Sequence, residues 1–65
     1  MIHSRCRLNQ AEAERLGLKT KHWRKGELIP YVGKIVGEQD GKWLVLWDGL
    51  KYERPLDKGL IEVEP

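Results

Sequence analysis

The segment KWLVLW, residues 42–47, constrains the fold most, because it lies between two Asp-Gly pairs. A two-residue type I′ hairpin turn needs a positive φ at both central residues, and Asp-Gly is among the dipeptides that adopt this turn most readily. Five consecutive apolar residues between two such turns are typical of a buried or half-buried strand. The segment therefore predicts a strand at 42–47 with a tight turn at each end.

Turn and strand signals recur at short spacing on both sides of this segment. Pro30 cannot donate a ladder hydrogen bond, so it must lie at the edge, start or bulge of a strand. PLDKG, residues 55–59, predicts one helical turn, with Pro at its first position and Gly at its end. Five short strands follow from these signals, at about 27–29, 32–38, 42–47, 50–54 and 60–63. The meander predicts a mainly all-β fold closed into a small barrel, since closure removes exposed edge strands.

Residues 9–18, NQAEAERLGL, predict a short helix ahead of the strands. Asn9 is a favourable N-cap, and Glu12 three residues later completes a capping-box pattern. Gly17 is placed to take a left-handed conformation just after the helix, with Leu18 as its apolar companion. A helix of this length is marginal alone in water, so its apolar residues must dock on the strands. The polar stretch at 19–27 is predicted to be a loop.

The predicted strand at 42–47 is apolar on both faces. Alternation puts Trp43, Val45 and Trp47 on one face and Leu44 and Leu46 on the other. A half-solvated strand would alternate apolar and polar residues. We therefore expect the Leu44–Leu46 face to be covered by the helix, by a second copy in a homodimer, or by a partner.

The stretch GKIVGEQDGKWLVLWDGLKYERPLDKGLIEV resembles the SH3-like small barrels of the Tudor, KOW and chromo type. The resemblance rests on a G-x-[IV]-[IV] strand at 33–36, a V-x-W strand end at 45–47, an acidic-glycine turn at 48–49 and LDKG before the closing LIEV. It covers roughly residues 26–64. It implies a five-stranded SH3-like barrel with a short N-terminal α-helix and one 3₁₀ turn before the last strand. Residues 1–65 would form a single domain, with an N-terminal arm, helix and basic loop at 1–25 and the barrel at 26–65.

Cysteine content and the lack of targeting signals limit the cellular setting. The single cysteine, Cys6, excludes an internal disulfide, and a lone thiol fits a reducing compartment. Cys6 with His3 and His22 falls short of a zinc-binding set, so neither a metal nor a cofactor is expected. Neither a signal peptide nor a membrane span is present in the sequence. These features predict a complete small cytoplasmic protein that does not enter a membrane.

Enzyme motifs are absent from the sequence. Ser4 is the only serine and Thr20 the only threonine, and the histidines show no triad spacing. A Gly-rich phosphate loop followed by Lys-Ser or Lys-Thr is missing too. Nucleophilic or general-base catalysis requires a reactive group paired with a base. The sequence therefore predicts a binding protein without enzymatic activity.

Charge is distributed unevenly along the chain. Residues 1–34 carry a net charge of +5 and residues 35–65 a net charge of −3. Such asymmetry can mark a surface for an anionic partner, although a dipolar solvated surface is the alternative.

The basic stretch KTKHWRK, residues 19–25, is the candidate nucleic-acid site. Cations contact phosphates, and an adjacent aromatic ring can stack on a base. The predicted contacts are Lys19, Lys21, His22, Trp23, Arg24 and Lys25, supported by Arg5 and Arg7. Related barrels of the KOW type often bind RNA, DNA or the ribosome, which favours this interpretation. In the alternative, the cations line a solvated loop and Trp23 closes the open end of the barrel.

Aromatic residues outside the basic stretch offer a protein-binding alternative. The candidates are Tyr31, Trp43, Trp47 and Tyr52. Tudor and chromo barrels hold a methylated ammonium group in an aromatic cage by cation–π attraction. Leu50 occupies a place where a chromo-like cage usually has an aromatic ring, which argues against a cage here. A plainer peptide- or protein-binding groove remains the second interpretation, since aromatic residues are favoured at interfaces.

Overall fold

The computed structural model describes residues 2–64 and shows a mainly β protein. Its elements are β1 (Arg5–Leu8), α1 (Gln10–Arg15), β2 (Lys21–Arg24), β3 (Glu27–Pro30), β4 (Val32–Gln39), β5 (Lys42–Trp47), β6 (Arg54–Leu56), a 3₁₀ turn (Lys58–Leu60) and β7 (Ile61–Val63).

Five strands form one antiparallel sheet in the order β6-β5-β4-β1-β7, and β2 and β3 form a separate hairpin. The mainly β class, the short helix and the 3₁₀ turn before the last strand are confirmed. Within residues 2–64, β6 and β7 do not pair with each other, so the ladder hydrogen bonds do not close a barrel.

Strand β1 is a sheet strand that the sequence analysis did not predict. Arg5–Leu8 alternates exposed and buried side chains, with Cys6 fully buried. Strand β1 lies between β4 and β7, and its Cys6 is paired with Gly33 of β4 and with Val63 of β7. The segment predicted near 27–29 does form a strand, but β3 pairs with β2 and stays outside the five-stranded sheet. The N-terminal segment thus contributes a strand between two others and is no mere extension.

The turns that flank β5 differ from each other. Asp40 and Gly41 both have positive φ, at 52° and 77°, and Gln39 pairs with Lys42, which confirms the type I′ hairpin. At the other end only Gly49 has a positive φ, of 87°. The Leu50 amide there donates to the Trp47 carbonyl oxygen at 3.1 Å. The prediction of a second type I′ turn is therefore wrong, and the chain leaves β5 without forming an immediate hairpin.

Strand β6 begins later than predicted, since 50–53 connects the strands and Arg54–Leu56 forms the ladder. Pro55 lies opposite Leu44 in that ladder. A proline is tolerated here because β6 is an edge strand. The helical turn predicted at 55–59 is displaced to Lys58–Leu60.

The C-terminal end of α1 has the predicted capping contacts, but only half of the predicted capping box forms, because the Glu12 carboxylate accepts from Arg15 and the Asn9 amide donates to the Leu60 carbonyl oxygen at 2.8 Å. The Asn9 side-chain oxygen accepts a hydrogen bond from the Glu12 amide at 3.2 Å. At the C-terminal end the Leu18 amide donates to the Ala13 carbonyl oxygen at 2.8 Å, and the Gly17 amide to that of Glu14 at 3.0 Å. These two bonds, with a φ of 73° at Gly17, are those of a Schellman motif.

The core lies on the tryptophan face of β5. Val45 is fully buried, Trp47 is only 4% exposed, and Trp43 packs against the same cluster. Ala13 of α1 belongs to this cluster too, whereas Leu44 and Leu46 are half-buried outside it. The expectation that the helix covers the Leu44–Leu46 face is therefore wrong. The helix instead closes the core, because its only buried side chain is on that side.

Gly33 allows β4 and β5 to approach closely. A Cβ atom built on Gly33 would lie 2.3 Å from the Leu46 carbonyl oxygen and 2.8 Å from the Trp47 Cα. Neither backbone atom can rotate away from such an atom. Only glycine therefore fits at this position, which lies directly opposite Trp47 in the ladder.

Candidate functional site

The basic stretch forms a β-hairpin with β3, which corrects the prediction of a loop at 19–27. Lys21–Arg24 pairs with Glu27–Pro30 in a continuous antiparallel register. Lys25 and Gly26 turn the chain, with φ of 51° and 79°, as a type I′ turn requires. Lysine is uncommon in the left-handed region, so the sequence carries a weak signal for this turn.

Trp23 lies on the outer face of the hairpin and is 71% exposed. Its cross-strand partner Leu28 is 51% exposed. Lys21 shares this face because it lies two residues from Trp23 along the same strand. The interpretation of Trp23 as a plug for the end of a barrel is therefore wrong, and its ring is available to a ligand.

His22 lies on the inner face of the hairpin and packs against the body of the protein. Its ring stacks on Tyr31 with centroids 4.5 Å apart and planes at 23°. The Nε2 atom is buried, and no hydrogen-bond partner for it exists within residues 2–64. Of the predicted contacts, His22 is thus the one that the structure turns away from solvent.

The Arg24 side chain packs against the turn that follows β5. Its Nε atom lies 3.3 Å from the position that a Cβ on Gly49 would occupy. Its charge also contributes to lowering the pKa of Asp48. Arg24 remains exposed, so one side of the side chain packs on the turn while the other faces solvent.

Arg5 and Arg7 are paired with carboxylates. Arg5 donates two hydrogen bonds to Asp48, at 3.0 and 2.7 Å, and Arg7 donates one to Glu62 at 2.8 Å. The bonds from Arg5 are the largest cause of the lowered pKa of Asp48, and they raise the pKa of Arg5. Both arginines were predicted to support the basic stretch, but they lie on β1 within the five-stranded sheet, and their charges are already neutralised in part.

The Arg5–Asp48 pair predicts a pH-dependent contribution to stability. A carboxylate with a lowered folded-state pKa stabilises the fold above its ordinary pKa of 3.8, and loses that effect as the pH falls through the folded-state value. We expect Asp48→Asn to melt below the wild type at pH 7, with the difference vanishing well below pH 3.8. Thermal melts followed by circular dichroism measure this. A Tm difference that stays constant down to the lowest pH would contradict it.

Lys19 and the cations of the hairpin, in contrast, form no ion pair within residues 2–64. In the chain from residue 2 to residue 64, no carboxylate oxygen lies within 4.0 Å of the charged nitrogens of Lys19, Lys21, Arg24 or Lys25. All four side chains are exposed. Unpaired Lys21 shares the outer face with the exposed indole of Trp23, and Lys25 lies in the adjoining turn, whereas Arg24 points to the opposite face and packs on the turn after β5.

The four aromatic residues of the protein-binding alternative do not form one surface. Trp43 and Trp47 lie at opposite ends of β5, about 13 Å apart at strand spacing. Lys58 Nζ covers the Trp43 ring at 4.3 Å, and Trp47 is buried beside Tyr31, with ring centroids 5.3 Å apart. Only Tyr52, 78% exposed, is fully presented to solvent.

A groove of about 350 Å³ opens beside the base of the hairpin and was missed by the sequence analysis. Leu18 and Leu50 form its exposed edges, and Tyr31 and Trp47 line its interior. Lys19 and Arg54 supply the only charges among the lining residues. Its walls come from segments far apart in sequence, so only the tertiary structure reveals it.

Cys6 is buried, and the described residues hold no cluster suited to a metal ion. Burial is the largest cause of the raised pKa of the Cys6 thiol, which keeps it protonated and unreactive. No group of three His, Cys, Asp or Glu residues within 2–64 is arranged to hold a metal ion. In the same part of the chain, every helix is too short or too polar to cross a bilayer.

Comparison of the chain with protein-family models, with curated proteins and with solved structures gave no match.

Proposed function

We propose that this protein is a small, non-enzymatic nucleic-acid-binding protein that uses the β2–β3 hairpin as its main contact surface. The observation that carries the proposal is the exposed Trp23 ring, with the unpaired Lys21 on the same face of the hairpin and Lys25 in the adjoining turn. Unpaired cations bind phosphates, and an exposed indole stacks on bases of any sequence. Phosphate contacts come from Lys19, Lys21, Arg24 and Lys25, and the stacking contact comes from Trp23.

We further propose that the five-stranded sheet is an SH3-like barrel of the Tudor, KOW and chromo type. The element order supports this, since β4, β5 and β6 follow one another, a 3₁₀ turn comes next, and β7 returns beside β1. Helix α1 and the hairpin are inserted between β1 and β4. Cytoplasmic location is part of the same proposal and rests on the lone thiol.

The protein-interaction alternative has less support from the geometry. Trp43 and Trp47 are separated along β5, and Trp47 is committed to the core. A hydrophobic partner surface needs several exposed residues clustered at one place. Tyr52 alone does not meet that requirement.

Binding of a fluorescein-labelled oligonucleotide, followed by anisotropy at several salt concentrations, tests the proposed function. Four phosphate contacts predict that the affinity falls roughly 50- to 150-fold between 50 and 200 mM salt. Reversing two charges, in Lys21→Glu with Lys25→Glu, should reduce both the affinity and the steepness of this dependence. An absence of binding by the wild type at 50 mM salt would overturn the proposal.

Trp23→Ala tests the stacking contact separately from the charges. We expect the variant to lose about 1–3 kcal/mol of binding free energy while its salt dependence stays unchanged. Tyr52→Ala is the matched control, because it removes an equally exposed ring from another part of the surface. Equal losses in the two variants would show that the hairpin has no special role.

A further inference from the structure

The groove beside the hairpin has the size and lining of a small-ligand site. Its volume of about 350 Å³ lies within the range of roughly 300–1,000 Å³ that is usual for such sites. Leu18 and Leu50 are 47% and 39% exposed at its edges, so its mouth is open to solvent. Tyr31 lies at its inner wall, held in place by its stack on His22.

The charged residues that line the groove indicate which class of ligand it suits. Lys19 and Arg54 are both exposed, and neither is paired with a carboxylate in the described part of the chain. The remaining lining is leucine and aromatic surface. An occupant that satisfies both features has a flat apolar body with an anionic group beside it. A nucleotide, with its base and phosphate, has that construction.

The groove is also continuous with the proposed nucleic-acid surface. Lys19 lies two residues before Lys21 of the hairpin, and Tyr31 follows directly after its last residue, Pro30. Both ends of the hairpin therefore adjoin the groove, so the two surfaces lie within reach of one strand.

We propose that the groove binds one unpaired nucleotide of a single strand, with the base against Tyr31 and the leucines and the phosphate between Lys19 and Arg54. This rests on the proposed function and makes it specific, since a base paired and stacked in a duplex must leave the stack before it can enter. The protein thus recognises single-stranded nucleic acid, with one base stacked on Trp23 and a second held in the groove.

The test compares single-stranded and duplex oligonucleotides of the same sequence by anisotropy, using variants of the groove. Leu50→Glu places a carboxylate at the mouth of the groove, and Arg54→Ala removes one phosphate contact. We expect the wild type to prefer the single strand by about tenfold or more, and Leu50→Glu to weaken single-strand binding by about tenfold. Arg54→Ala should weaken it several-fold and flatten its salt dependence.

Lys34→Ala is the matched control, because Lys34 is exposed and lies opposite Leu46, on the sheet face away from the core. It should leave the single-strand preference unchanged. Circular dichroism verifies that each variant folds, and Arg54→Ala, an exposed change, keeps the test decisive should Leu50→Glu unfold.

The two proposals fail in different ways. One result overturns the groove proposal alone: binding is weakened in Trp23→Ala, but it is equal for single strand and duplex and is unchanged in Leu50→Glu and Arg54→Ala. The hairpin function would then still stand. An absence of binding to either oligonucleotide overturns both.

Discussion

Replacing Trp47 by alanine is expected to lower the free energy of unfolding by about 3–5 kcal/mol, as truncation of a buried aromatic side chain generally does. The ring is 4% exposed and belongs to the core cluster that includes Ile35 and Val45. A domain of this length has a total stability of roughly 3–10 kcal/mol. The variant should therefore be partly or wholly unfolded at room temperature. Urea titration followed by circular dichroism measures the loss.

Trp23→Ala is the matched control for this prediction. Its ring lies on the hairpin surface, where a cross-strand pair such as Trp23 with Leu28 contributes roughly 0.2–1 kcal/mol. A loss from Trp47→Ala no larger than that from Trp23→Ala would contradict the assignment of Trp47 to the core. The two variants also distinguish unfolding from loss of a contact in a binding experiment. If Trp47→Ala no longer binds a partner, the cause is unfolding of the protein. If Trp23→Ala no longer binds it, the cause is the loss of a direct contact.

Gly33→Ala is expected to destabilise the protein nearly as strongly, although it adds a single methyl group. The new Cβ would meet the backbone of Leu46 and Trp47 at 2.3 and 2.8 Å, so β4 and β5 would have to separate. Overpacking costs about 1–3 kcal/mol and occasionally more, and we expect the upper end because backbone atoms cannot rotate aside. Chemical denaturation gives the value directly.

Gly59→Ala provides the control for Gly33→Ala. No heavy atom lies within 4 Å of a Cβ built there, and Gly59 has no positive φ. We expect its effect to stay within about 0.5 kcal/mol, as for other surface substitutions. Similar losses in both variants would contradict the close approach at Gly33 as the cause, because Gly→Ala by itself lowers the entropy of the unfolded chain and so favours folding.

Features decided by neighbouring residues were predictable from the sequence. The Asp40-Gly41 hairpin, the Asn9 cap and the Schellman motif of α1 depend on residues within a few positions of each other, and all three are confirmed. Strand β1 was missed because its apolar face has only Cys6 and Leu8, and its partners lie far along the chain. A short alternating segment can be recognised as a strand only when the strands that pair with it are known.

The candidate site was predicted in composition but not in arrangement. The basic stretch could be read directly, yet its hairpin depends on a lysine in the left-handed region at Lys25. Pairing of Arg5 with Asp48 joins residues 43 positions apart, so local pattern gives no sign that this cation is already engaged. The groove next to Tyr31 is likewise a product of tertiary packing.

The position of β1 beside β7 also bears on how the chain folds during synthesis. Cys6 pairs with Val63 and Leu8 with Ile61, so the N-terminal strand gains this partner only when the last part of the described chain is available. Contacts of such long sequence separation slow folding, since the loop must be closed before they form. On the ribosome, β4 and β5 can pair as soon as they emerge, whereas β1 keeps an unsatisfied edge. The sheet is therefore completed only after nearly all of residues 2–64 have left the exit tunnel.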